Sequence, residues 1–114
     1  MPFINVKTNT SLTNEKKEII KRRLFDCISI LPGKSDNYLM VAIEDGISMA
    51  FHRESEPNMA MVEVKIFGSS SKDAYQRLTT AICLILQDEA EIEGQNCYVK
   101  FEEVKYWGYN GFMF

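Results

Sequence analysis

The order strand, helix, strand occurs twice in this chain, at a spacing near half its length, and that repeat limits the folds open to it. Residues 3–8 alternate Ile4 and Val6 against Asn5 and Lys7, the period-two pattern of a strand with one buried face. Ser11 or Thr13 offers a cap for a helix whose Ile20, Leu24, Cys27, Ile28 and Leu31 share one face. Pro32-Gly33 stops that helix, since proline cannot continue the ladder and glycine accepts a left-handed cap. Residues 38–43 form an apolar run of strand length. Asp45-Gly46 reads as a hairpin turn, with 47–51 as a short return strand. After Glu56-Pro57 the order repeats, with a strand over 59–67 and a serine loop in which Ser70 and Asp73 resemble a capping box. A helix through Tyr75, Leu78, Ile82, Ile85, Leu86 and Glu89 follows, and beyond Gly94 a strand over 97–103. That last strand alternates Cys97, Val99 and Phe101 against Tyr98, Lys100 and Glu102.

A strand that crosses over through one helix to a parallel neighbour makes a right-handed βαβ unit. Two such units, 1–56 and 57–114, predict an α+β fold in a single domain. Its four-stranded mixed sheet would carry both helices on one face, with short edge strands besides. A chain of 114 residues is long enough to bury a core of its own. Met59, Met61, Val62 and Val64 cannot all face one helix layer, so the opposite sheet face is expected to be partly apolar. A face of that kind predicts association with further copies.

A net charge of −3 argues against nucleic acid, because no basic field is available to neutralise phosphates. Lys16, Lys17, Lys21, Arg22 and Arg23 lie among Glu15, Glu18 and Asp26 and read as a solvated helix face. His52 is the single histidine, so no multi-histidine metal site is expected. Cys27, Cys83 and Cys97 make an odd count without a Cys-x-x-Cys pair, which suits free, buried or half-buried thiols in a reducing compartment. The N-terminus lacks a signal-peptide core and no apolar run approaches membrane-spanning length. The expectation is a cytoplasmic protein with no membrane partner.

Pro2 stands directly behind Met1. Once Met1 is removed, its nitrogen is a secondary amine with a reference pKa of roughly 8. Desolvation or a nearby cation lowers that toward neutrality, where a general base works best. With Met1 in place the nitrogen is an amide and has no useful basicity.

Several segments in order carry a resemblance: Met1-Pro2-Phe3 with Thr8-Asn9, Gly33-Lys34 with Tyr38, and Met49-Ala50-Phe51. Ser55-Glu56-Pro57, Ile66-Phe67-Gly68, Cys97-Tyr98-Val99, and Trp107 to Gly111 with Phe114 complete the set. Together they resemble the macrophage migration inhibitory factor family of the tautomerase superfamily over nearly the whole chain. The resemblance implies a homotrimer whose sheets line a central barrel. It also implies keto–enol tautomerisation of an aromatic α-keto acid of the phenylpyruvate type, or of a dopachrome-like compound, without cofactor or metal. Pro2 would be the general base and Lys34 the substrate-binding lysine, with the backbone of Ile66 helping to fix the substrate. Tyr98 and the tail aromatics would form pocket walls, partly from a neighbouring subunit. Phe3, Tyr38, Trp107, Tyr109 and Phe114 supply apolar surface for the ring. Export without a signal sequence and a protein receptor are further implications.

The sequence also departs from the family pattern. Ser35 replaces a proline and is expected to loosen the loop that presents Lys34, and His52-Arg53 stands where glycines are common. Lys100 replaces a small polar residue, adding a second cation that either strengthens carboxylate binding or crowds the slot. Trp107 and Tyr109 stand where smaller or differently shaped residues are common. Asn58 and Met61 occupy the places of the family's Cys-x-x-Cys motif, so no thiol–disulfide oxidoreductase activity is expected through it. A cytokine-like trimeric binding protein with a vestigial pocket is the alternative reading. A third is hydration or decarboxylation of an unsaturated acid at the same N-terminal proline.

Overall fold

Alternation along the sequence becomes alternation of faces in the folded chain. In the computed structural model, which describes residues 1–114, β1 (Pro2–Thr8) is buried at every second position. Ile4 and Val6 point into the core and Asn5 and Lys7 point away. Strand β2 (Met40–Glu44) runs parallel to β1, with Phe3 opposite Met40 and Lys7 opposite Glu44. Strand β3 (Ala60–Phe67) runs antiparallel to β1, with Pro2 opposite Ile66 and Thr8 opposite Ala60. Strand β4 (Cys97–Val104) is parallel to β3, giving the order β2-β1-β3-β4. The two βαβ units predicted from the repeat therefore lie side by side in one mixed α+β sheet.

Helix α1 (Asn14–Cys27) starts at Thr13, whose hydroxyl accepts from the Lys16 N–H at 3.1 Å. It ends earlier than the apolar seam suggests, and a 3₁₀ turn over Ile28–Ile30 then continues the burial of Ile28 and Leu31. Helix α2 (Lys72–Ala90) is capped by Ser71, which accepts from the Ala74 N–H at 3.1 Å. The expected Ser70–Asp73 box does not form. The Ser70 N–H donates to the Tyr75 hydroxyl at 2.9 Å, and Asp73 pairs with Arg77 at 3.2 Å. Arg23 reaches Asp88 and Glu89 at 3.0 and 2.9 Å, joining the two helices above one shared core. No helix is long and apolar enough to cross a membrane.

Two expectations change and a third is refined. Tyr38 lies in a single 3₁₀ turn, Asp36–Tyr38, so β2 begins only at Met40. Asp45-Gly46 makes no hairpin: the Asp45 carboxylate accepts from the Leu12 N–H at 2.8 Å and pairs with Lys17 at 3.0 Å. Gly46 donates to the Thr10 carbonyl at 3.0 Å, so this turn is tied to the loop before α1 and no return strand follows. The two-residue turn sits at His52-Arg53 instead, where Phe51 and Glu54 exchange hydrogen bonds of 2.8 and 2.9 Å. Thirdly, the sheet face opposite the helices is charged at its centre. Met59, Val62 and Val64 are all buried, leaving Met61 as the member of that group on the open face. Glu63 lies there 3.6 Å from Lys7 and 3.3 Å from Lys100, and Lys65 lies 3.7 Å from Glu102. Strict alternation in β1 and β3 is the reason, since it turns Asn5, Lys7, Glu63 and Lys65 to the open face alongside Phe3, Met61 and Phe67. Exposed apolar surface lies toward the margins and tail, at Met40, Tyr98, Phe112 and Met113.

His52 and Arg53 both have positive φ, 54° and 64°, a region that side-chain-bearing residues enter at a cost. Arg53→Gly removes that strain while keeping the His52 ring against Phe51, 4.0 Å between centroids. The expected gain is about 0.5–1 kcal/mol. It should appear as a higher urea midpoint with an unchanged m-value, and a lower midpoint would refute the strain reading.

Candidate active site

Pro2 occupies the end of a central strand, a position its missing N–H permits. It is buried and lies opposite Ile66. The Met1 carbonyl just ahead accepts from the Phe67 N–H at 3.2 Å, which fixes the N-terminus against the sheet. The N-terminal amine is held below its ordinary basicity, first by burial and then by the charge of Lys34.

Lys34 reaches this place through the end of the α1 segment. Gly33 after Pro32 takes a left-handed φ of 79°, and the Lys34 N–H returns to the Leu31 carbonyl at 3.1 Å. The Lys34 Nζ then donates to the Phe67 carbonyl at 2.8 Å. Phe67 thus holds both partners, Met1 through its N–H and Lys34 through its carbonyl. Ser35 does not leave the loop loose. Its hydroxyl accepts from the Asn37 N–H at 3.2 Å and caps the turn that carries Tyr38.

A cavity of about 460 Å³ opens at this end of the sheet, with Met1, Pro2, Phe3, Tyr38, Trp107 and Tyr109 in its lining. The tail shapes one wall. Strands β5 (Gly108–Tyr109) and β6 (Phe112–Met113) form a hairpin around Asn110-Gly111, both at positive φ, the arrangement this dipeptide favours. Tyr109 meets Tyr38 edge-on with centroids 5.8 Å apart. Phe114 donates its N–H to the Trp107 carbonyl at 2.8 Å and sets its ring 6.3 Å from that of Phe67.

Sequence reasoning missed Phe67, Asn37 and Met40 here. Only Phe67 carried a signal, as a large apolar residue on the open face directly before Gly68. The Ile66 side chain is fully buried, so only its backbone is available to the cavity end.

Within one chain, Tyr98 and Lys100 do not meet Pro2. Tyr98 pairs with Met61, which pairs with Lys7, five residues along β1 from Pro2. At about 3.3 Å per residue that is roughly 16 Å. Its ring packs 4.9 Å from Phe51 in a separate apolar hollow of about 180 Å³ that also includes Met49 and Met61. Lys100 stands beside Glu63, and its hydrogen bond is the main cause holding that carboxyl below the usual range.

The family model described as macrophage migration inhibitory factor matches residues 1–114. Among solved structures, the chain superposes on Leishmania major MIF2 with a TM-score of 0.92 and 24% identity, covering 100% of this chain and 97% of that one. A macrophage migration inhibitory factor-like protein from Entamoeba histolytica gives 0.88 and 25%, covering 99% and 98%. Pt0534, solved inactivated by 2-oxo-3-pentynoate, gives 0.85 and 15%, covering 96% and 92%. Comparison with curated proteins gave no significant match.

Replacing Lys34 by Met removes one of the two causes that depress the N-terminal amine, so its pKa should rise while burial keeps it below the free value. The pH dependence of acylation at that amine, followed by mass spectrometry, measures the shift. An unchanged midpoint would mean that the Lys34 charge does not reach the amine.

Proposed function

The chain belongs to the macrophage migration inhibitory factor family, and from that membership we propose that it is a cofactor-free tautomerase acting on an aromatic α-keto acid of the phenylpyruvate type. The observation that carries the reading is that Met1 and Pro2 line an aromatic cavity where the N-terminal amine is lowered by burial and by the charge of Lys34. After Met1 is removed, the amine in that place is the Pro2 nitrogen. The same burial and cation would lower its basicity, so it can take a proton from the enol oxygen and return it to carbon. The Lys34 ammonium answers the substrate carboxylate, and Phe3, Tyr38, Trp107 and Tyr109 cover the ring. Loss of Met1 also frees the Phe67 N–H to donate to a substrate oxygen. The 2-oxo acid named with Pt0534, a protein of the same fold, supports a keto acid as the substrate class.

The same reading includes a homotrimer, in which Tyr98 and Lys100 of a neighbouring copy close the cavity that one chain leaves open. Tyr98 is 59% exposed and Lys100 is exposed on the open sheet face, which suits contact with another copy.

In purified protein with Met1 removed, Pro2→Gly should lower kcat/KM for phenylpyruvate ketonisation by about 100-fold. Lys34→Ala should raise KM more than it lowers kcat, and should move the acidic limb of the pH profile upward. Equal rates in wild type and Pro2→Gly would sink the assignment of Pro2 as base. Sedimentation equilibrium at the mass of one chain would sink the trimer.

A further inference from the structure

We propose that Cys83 and Cys97 form a dithiol–disulfide pair that closes on reaction with hydrogen peroxide and fastens α2 to the start of β4. The two elements run side by side in opposite directions, and their spacings match. Tyr75, Thr79 and Cys83 lie four residues apart on one row of α2, about 6 Å per step. Phe101, Val99 and Cys97 lie two residues apart on the core face of β4, about 6.6 Å per step. The Tyr75 ring stacks on Phe101 with centroids 4.5 Å apart and an interplanar angle of 29°, which sets the rows in register at one end. Two steps along, the same register sets Cys83 beside Cys97, and Cys83 is the neighbouring thiol that acts on Cys97. Both thiols are free and half-buried, and Cys97 packs on the hydrophobic core.

Cys27 is placed differently. Its thiol donates to the Leu24 carbonyl at 3.4 Å, and it sits beside Ala81 and Leu84. Positions 81 and 83 are about 200° apart around a helix, so Cys27 and Cys97 lie on opposite flanks of α2.

The chemistry balances with the peroxide alone as oxidant. The Cys83 sulfur attacks one peroxide oxygen, an S–O bond forms as the O–O bond breaks, and water leaves. The Cys97 sulfur then attacks Cys83, the S–S bond forms as the S–O bond breaks, and a second water carries away the remaining proton. Two thiols lose two electrons and the peroxide is reduced to two waters. Burial, followed by the neighbouring Cys83 thiol, pushes the Cys97 thiol up to about 12. Cys97 therefore keeps its proton near neutrality, and the first encounter with peroxide falls to Cys83.

The test uses the folded full chain treated with hydrogen peroxide, then intact-mass analysis and non-reducing peptide mapping. The expected product has lost two hydrogen atoms, carries a Cys83–Cys97 linked peptide, and reverts with dithiothreitol. Cys83→Ser and Cys97→Val should each abolish the loss, whereas Cys27→Ser should retain it. The oxidised protein should also unfold several degrees above the reduced form, because the short closed loop restricts the unfolded chain. Oxygen addition without hydrogen loss, linkage through Cys27 or between copies, or an unchanged mass would overturn the proposal. Where a variant fails to fold, the peptide map of the unaltered protein decides.

Discussion

The antiparallel pairing of β1 with β3 is the constraint on which the rest of the structure depends, because this ladder joins the two βαβ halves. Its far end is fixed by Thr8, the one fully buried polar side chain. The Thr8 hydroxyl donates to the Met59 carbonyl at 2.7 Å and accepts from the Thr10 N–H at 3.1 Å, so its burial leaves no group unpaired. Asn9 extends the lock: its amide donates to the Pro57 carbonyl at 2.9 Å and accepts from the Met59 N–H at 2.9 Å. A slip of one residue would turn Ile4 and Val6 toward water and drive Asn5 and Lys7 into the core. Desolvating an amide and an ammonium would cost far more than any ladder bond returns.

That register also fixes the chemistry of the N-terminus. With Thr8 opposite Ala60, the strand runs out at Pro2 opposite Ile66, and Met1 falls on the Phe67 N–H. The carbonyl of the same residue holds the Lys34 ammonium. Amine and cation are thus brought together by one backbone position, and neither depends on a flexible side-chain contact with the other. Burial is the larger cause of the lowered amine basicity and the cation the smaller. Both act in the same direction, since each disfavours the protonated form.

Much of this was legible in the sequence because it is local. Strand alternation, the helix seams and the Pro32-Gly33 stop each show within a few residues, and the repeat then dictates the crossover topology. What escaped was decided by contacts distant in sequence. Asp45-Gly46 has the composition of a hairpin, but Leu12 and Lys17 claim its carboxylate. His52-Arg53 has the wrong composition for a left-handed turn, yet two backbone bonds between Phe51 and Glu54 impose one. Choosing Ser71 over Ser70 required knowing that the Tyr75 hydroxyl takes the Ser70 N–H. Pro2, Phe3, Tyr38, Trp107 and Tyr109 line one cavity, while Tyr98 and Lys100 sit on another part of the same sheet.

The position of Lys100 bears on which of its two expected roles is physically open. Its ammonium is half exposed and pairs with Glu63 at 3.3 Å, with Glu102 at the margin of contact, 4.0 Å away. Exposed ion pairs of this kind contribute about 0–1 kcal/mol, so releasing the ammonium to a substrate carboxylate costs little. Glu63 would not be stranded, because Lys7 lies 3.6 Å away and also helps hold the carboxyl ionised. Crowding requires the side chain to enter the cavity at Pro2, and the register places it three residues along the sheet from that end. Distance within one chain, rather than the strength of its present contacts, is what keeps Lys100 from the N-terminal amine. The register that builds the cavity at Pro2 is thus the same one that holds this cation away from it within the chain.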